Sequence, residues 1–307
     1  MAFGALLIGA CPSGGNRVQG PFAPHEGVDG QGLLGEWVHA GGYKREYILR
    51  TPPTMEAGRT YPLLIVMHGA GASAAGLHRW IHPDSATTAA GFIAAYPQGL
   101  GASWETGCGP CTPAGRAGVD DIGFVNTLID HLAGALPVDT GRVFLAGHSL
   151  GAQFAHYYAC ESDRPPAGIA AIGGLWLRRT ALDCRPARPL PVLMIHGDRD
   201  SVLPWDGPRH NISAYSMPEA LDRWKELLGC GADPVVVEHP DRAGDGTSVQ
   251  STTVTSCEGG VSIELHRIRG GGHGWPGPVQ PIPQLGPHSA NLDGLAEILR
   301  FFGPYAR

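Results

Sequence analysis

Near-continuous apolar runs alternate along this chain with stretches whose apolar residues recur at helical spacing. Residues 61–68 (YPLLIVMH), 92–96 (FIAAY), 142–146 (RVFLA), 167–174 (AGIAAIGG) and 191–197 (PVLMIHG) are short and apolar, the pattern of strands buried on both faces. Between them, 120–136 carries a helical stripe at Ile122, Val125, Leu128, Ile129 and Leu132, with Asp120 or Asp121 as its cap. Residues 76–91 read as helix interrupted by Pro83, and Ser216-Met217-Pro218-Glu219 is a capping box opening a helix that ends near Gly229. Residues 261–268 predict a final strand and 292–302 a closing helix. Alternation on both sides of Gly41-Gly42 over 35–51 predicts an antiparallel hairpin at a sheet edge. Strands alternating with helices imply an α/β fold: a mostly parallel central sheet, helices on both faces, and ligands at the carboxyl ends of the strands.

One stretch breaks sharply between strand and helix. Residues 142–158 read RVFLAGHSLGAQFAHYY, in which Gly147-His148-Ser149-Leu150-Gly151 separates an apolar run from helix-forming residues. A serine at the tip of such a turn presents its hydroxyl above the sheet. Small residues two before and two after are required, because a Cβ there would strike the neighbouring strand or helix.

A hydroxyl nucleophile needs a base, normally histidine, and an acid that orients it. In this architecture the order is Ser, acid, His, each past a later strand. The strand at 191–197 is followed by Asp198-Arg199-Asp200, and Asp200 is preferred because Ser201-Val202-Leu203-Pro204 can pin its side chain; Asp198 then reads as a turn residue or a partner of Arg199. Of the histidines that follow (His210, His239, His266, His273 and His288), His266 lies inside a strand. His273 follows one, in the glycine-rich 270–277 (GGGHGWPG), whose glycines would let an imidazole swing over the serine. For an oxyanion the expected donors are the Leu150 and Ala70 amides, with Gly71 as rival to Ala70 in His68-Gly69-Ala70-Gly71. His148, Trp104, Trp205 and Trp275 fall near the inferred site end and are expected to contact substrate.

Composition narrows the picture further. The 307 residues are 43% hydrophobic, enough for a full core, and no apolar run reaches the roughly 18 residues that span a bilayer. A net charge of -6 with no basic run excludes a nucleic-acid footprint. Residues 1–11 (MAFGALLIGAC) have the look of the end of an export signal, with Cys11 placed as in a lipoprotein box; 12–34 read as a flexible tether and 35–307 as one catalytic domain. The remaining six cysteines are expected as three disulfides, Cys108–Cys111, Cys160–Cys184 and Cys230–Cys257. Cys108-Gly-Pro-Cys111 has redox or zinc spacing, but no second pair follows at ligand spacing; no metal, no cofactor and a monomer are expected.

Together, 63–71 (LLIVMHGAG), 96–99 (YPQG), 120–124 (DDIGF), the Ser149 turn, 196–200 (HGDRD) and 272–277 (GHGWPG) resemble the secreted polyhydroxybutyrate depolymerase and feruloyl esterase family, over roughly 40–302. The resemblance implies an α/β-hydrolase fold with Ser149, Asp200 and His273 as catalytic triad. It also implies a secreted serine esterase acting through an acyl-enzyme on feruloyl-type esters or polyesters. Aromatic polyester hydrolysis and acyl transfer by the same triad are the alternatives.

Overall fold

The computed structural model describes residues 36–208, 213–231 and 233–307. The export segment with Cys11, the tether and His210 lie outside the described residues. The strands are β1 (Glu36–Ala40), β2 (Tyr43–Arg50), β3 (Tyr61–Met67), β4 (Ile93–Pro97), β5 (Val138–His148), β6 (Gly168–Ile172), β7 (Val192–Gly197), β8 (Val235–His239), β9 (Ser248–Val254) and β10 (Ile263–Arg269). The helices are α1 (Ala74–Ile81), α2 (Asp84–Ala89), α3 (Pro113–Ala117), α4 (Asp121–Ala135), α5 (Leu150–Glu161), α6 (Arg178–Leu182), α7 (Met217–Leu227) and α8 (Gly294–Phe302).

All ten strands join one sheet in the order β1-β2-β4-β3-β5-β6-β7-β10-β9-β8. The six strands from β4 to β10 run parallel, and the pairs outside them are antiparallel, so the sheet is mixed at its edges. Inside the apolar runs the side chains still alternate. Leu63, Ile65 and Met67 of β3 join one core with α4, α5 and α7, while Leu64 and Val66 join a second with α1 and α8. Burial on both faces is what makes these strands read as unbroken apolar runs.

The β8–β9 pair was not expected from sequence. Its β9 is rich in Ser, Thr and Gln, and all five β8 residues are exposed, so neither carries a buried-face signal. Pro83 splits the helix expected over 76–91, and Ser216 and Glu219 form the expected capping box.

Cys160 bridges Cys184 and Cys230 bridges Cys257. The expected Cys108–Cys111 bridge is not formed. Here Gly109 turns the chain at positive φ, its carbonyl is crowded against Gly115, and the exposed Cys111 thiol points back to the Cys108 carbonyl oxygen at 3.0 Å. Asp120 caps α4 by accepting from the Gly123 amide. Asp121 instead takes the buried Arg45 guanidinium at 2.6 Å, beneath Phe124, and accepts from the Glu105 amide, tying the edge hairpin to the long 98–118 loop.

On β10, His266 lies 2.8 Å from Glu297 and 3.3 Å from Glu264, and Arg300 of α8 pairs with both carboxylates. Burial opposes a charge on His266, yet the carboxylates outweigh it and hold its pKa above the ordinary 6.5. Burial also opposes ionised Glu297, but His266 and Arg300 pull it from 4.5 down to about 2. The depressed acid contributes above its unfolded pKa and loses that contribution as pH falls towards 2. The raised base contributes below 6.5 and loses it as pH rises through its folded value. Glu297→Gln is therefore expected to lower the thermal midpoint most between about pH 4.5 and 6.5, the gap narrowing on either side. Melts across pH check this, and a constant gap would show that the charges are not the cause.

Candidate active site

The turn after β5 is sterically specified. Ser149 has φ 55° and ψ -114°, unusual for a residue with a Cβ, and it immediately precedes α5. A Cβ on Gly147 would collide with the Gly151 carbonyl, and one on Gly151 with the Met67 carbonyl oxygen of β3. The strand, helix and neighbouring strand therefore meet at backbone distance, and Ser149 stands half-buried at the carboxyl end of the sheet.

Two loops bring the expected partners to it. His273 Nε2 accepts from the Ser149 hydroxyl at 2.8 Å, and its Nδ1–H donates to Asp200 Oδ2 at 2.6 Å. The other Asp200 oxygen accepts from the Val202 and Leu203 amides at 2.8 and 2.7 Å, so the turn pins it as expected. Burial would raise the Asp200 carboxyl, but the His273 hydrogen bond and charge, with His196 and the Leu203 amide, hold it below the ordinary value. Asp198 bonds the Gly270 amide and the Arg267 guanidinium rather than Arg199.

The glycines before His273 serve close packing rather than a swinging ring. Gly271 accepts from the Arg199 amide, Gly272 donates to Pro287, and a Cβ on Gly197 would collide with the Gly271 and Gly272 carbonyls. His239 is on the exposed edge strand, His266 belongs to the α8 network, and His288 bonds the Gly277 carbonyl.

Of the proposed oxyanion donors, Leu150 is the first residue of α5, so its amide has no carbonyl partner within the helix. Gly71 is removed as rival, since its amide donates to Ala102 at 2.8 Å; Ala70 is exposed beside Gly69. A Cβ on Gly69 would lie 3.2 Å from that of Ser149. His68 braces this loop: its Nε2 accepts from the Gly99 amide while Nδ1–H donates to the Gly69 carbonyl, and burial pushes its pKa down to about 4, keeping it neutral.

The expected substrate contacts require correction. Trp104 is fully buried, donates to the His68 carbonyl at 2.9 Å and stacks on Phe154. Trp205 is buried between His196 and Arg267, and Trp275 belongs to the α1/α8 core. His148 is buried too, its Nε2–H donating to the His273 carbonyl at 2.7 Å. These positions have loop sequences, but sequence does not show which way an indole points. Two neighbours were missed. Trp80 of α1, half-buried, meets His148 edge-on at 5.3 Å, and its sequence signal is only that of a helix residue. His196, at the end of β7, lies 3.4 Å from Asp200 and donates to the Leu203 carbonyl.

A family profile described as Phospholipase/Carboxylesterase matches residues 118–214, from just before α4 through the Ser149 turn to beyond β7. Feruloyl esterase B of Piromyces equi is 28% identical over 243 residues, which are 75% of this chain but 42% of that protein. The candidate esterase NocK of Nocardia uniformis subsp. tsuyamanensis is 33% identical over 265 residues, covering 80% of this chain and 74% of the relative. The chain belongs to the same family of α/β-hydrolase esterases as NocK. As a member of it, the protein is a serine carboxylic-ester hydrolase. An acetyl xylan esterase from Aspergillus awamori shares the fold of the esterase at a TM-score of 0.54 and 13% identity, covering 78% of this chain and 91% of that one.

The close contacts give a test of the esterase scaffold. Gly151→Ala forces a methyl against the fixed Met67 carbonyl, and is expected to cost about 3 kcal/mol, the upper part of the range for overpacking. Denaturant unfolding checks this; an unchanged midpoint would mean that the turn relaxes.

Proposed function

We propose that the protein cleaves carboxylic esters through an acyl-enzyme on Ser149, with His273 as general base and Asp200 as its orienting acid. The observation that carries this reading is the continuous hydrogen-bonded chain from Ser149 through His273 to Asp200, set on a positive-φ turn. The Ser149 oxygen attacks the ester carbonyl while His273 Nε2 takes its proton. The oxyanion then accepts from the Leu150 and Ala70 amides. His273 returns the proton to the departing alcohol, leaving the acyl group on Ser149. Water, deprotonated by the same imidazole, attacks the acyl-enzyme and releases the acid.

Feruloyl-type esters are the substrate class we favour. Relatives named feruloyl esterase include that of Piromyces equi and the probable feruloyl esterase C of Aspergillus niger, 27% identical over 237 residues. The half-buried Trp80 beside His148 offers an aromatic edge near the serine. Two disulfides fit a working place outside the reducing cytoplasm.

Ser149→Ala is expected to abolish release of acid from methyl ferulate without changing the melt. Asp200→Asn should lower kcat by about 10⁴ through loss of the correct imidazole tautomer. Turnover of methyl ferulate, p-nitrophenyl butyrate, a hydroxybutyrate oligomer and an aromatic polyester film measures the preference, and ferulate left untouched while the film is cleaved would overturn the substrate reading.

A further inference from the structure

The histidine beside the nucleophile has no place in the proton transfers above, yet it touches all three parts of the site. His148 is the chain neighbour of Ser149. Its Nε2–H donates to the carbonyl of His273 at 2.7 Å, with the two rings 5.1 Å apart. On its other side, Nδ1 faces Gly69, where an added Cβ would stand 3.3 Å away. Trp80 of α1 meets the ring edge-on at 5.3 Å, and Trp275 lies at 6.4 Å. Gly173, at positive φ after β6, closes the space beneath, where a Cβ would sit 3.6 Å from His148 Nε2 and 3.5 Å from His273 Nδ1.

We propose that His148 is a positioning residue that holds the backbone of the base, fixing the height of the His273 imidazole over Ser149. The inference rests on the Ser149–His273–Asp200 reading. The Nδ1 and Nε2 bonds of His273 orient its ring, but neither sets the position of its Cα. The loop that carries it is anchored on its far side by the His273 amide, which donates to Leu285 at 2.6 Å, and by Gly272 to Pro287. On the nucleophile's side the polar anchor is the His148 donor. That anchor is set in the same backbone turn as Ser149, so the distance between nucleophile and base is spanned by one rigid side chain.

The group also suits the charge that the reaction creates. When His273 takes the serine proton it becomes an imidazolium about 5 Å from the His148 ring, and a second cation there would oppose it. Burial, then the neighbouring His273, pushes the His148 pKa down to about 3, so the residue remains neutral throughout the working range. Asp200 and His196 are the other ionisable groups acting on it.

Three variants test the assignment. His148→Phe keeps a ring between Trp80 and Trp275 but removes the donor. His148→Gln places an amide N–H where Nε2 stood, and His148→Asn is too short to reach the His273 carbonyl. Melts show which variants fold. Turnover of p-nitrophenyl butyrate and the rate of Ser149 labelling by a fluorophosphonate are then measured. The expected result is a fall in kcat of about 10²-fold in the Phe and Asn variants, the scale of a 1 Å misplacement. KM should stay constant, labelling should slow in parallel, and Gln should recover most of the loss.

Unchanged kcat in the folded Phe or Asn variant would overturn the proposal, as would a rise in KM alone, which would make His148 a substrate contact. Equal loss in Gln and Asn would also overturn it, by showing that the ring matters only as filling. If the wild-type protein neither turns over esters nor labels at Ser149, it is the triad reading that fails. If Phe does not fold, the Gln and Asn pair decides.

Discussion

The organisation of this site depends on a steric constraint: three backbone segments meet where no side chain fits. Gly147 at the end of β5, Gly151 in the first turn of α5 and the Met67 carbonyl of β3 are so close that a methyl group on either glycine would collide with backbone. Because strand and helix cannot separate, the residue between them is forced into positive φ, and Ser149 bears that strain. Its hydroxyl position is consequently a property of the sheet rather than of a loop. Packing of this kind is stiff, since protein interiors are close to crystal density.

Around that fixed point, charge is distributed unevenly. The histidines closest to Ser149 other than His273 are buried and held neutral: His68 braces the oxyanion loop and His148 the base loop, with pKa values pushed down to about 4 and 3. Each has its tautomer set by a backbone carbonyl, so each acts as a directional polar strut. Apart from the Asp200 carboxylate, the paired formal charges lie in other parts of the fold. Arg45 and Asp121 are paired under the edge hairpin, where burial lowers the base and raises the acid even as each opposes the shift of the other. The His266, Glu264, Glu297 and Arg300 network fastens α8 to β10. Breaking one member of a buried pair strands its partner, which is why such pairs act as rigid fasteners even where their net contribution is small.

Much of this was legible in the sequence, and the reasons differ from element to element. Strands β3, β4, β6, β7 and the second half of β5 announce themselves because burial on both faces demands unbroken apolar runs, and β10 because its apolar residues alternate with polar ones. Strands β8 and β9 do not, since one is exposed throughout and the other polar. Ser149, Asp200 and His273 could be chosen because the order of strand ends restricts the candidates, and the Gly-X-Ser-X-Gly spacing follows from the collision just described. The aromatic contacts were misplaced for a physical reason as well: loop position is written in sequence, but side-chain direction is not. Trp104 turns inward because the His68 carbonyl needs a donor, while Trp80, on an ordinary helix, turns to the site. The Cys108 and Cys111 spacing permits a bridge that the local turn does not make.

Ser149 and His273 are 124 positions apart in the chain, and His273 and Asp200 are 73 apart. Each of the three sits past the end of a different strand, and β5, β6, β7 and β10 must be in register before they meet. Local structure alone assembles no part of the hydrogen-bonded chain. Hydrolysis of a simple ester is thus a sensitive gauge of whether these four strands of the central sheet have paired. In a refolding or proteolysis experiment, the return or loss of turnover would follow the last long-range pairing rather than the helical content.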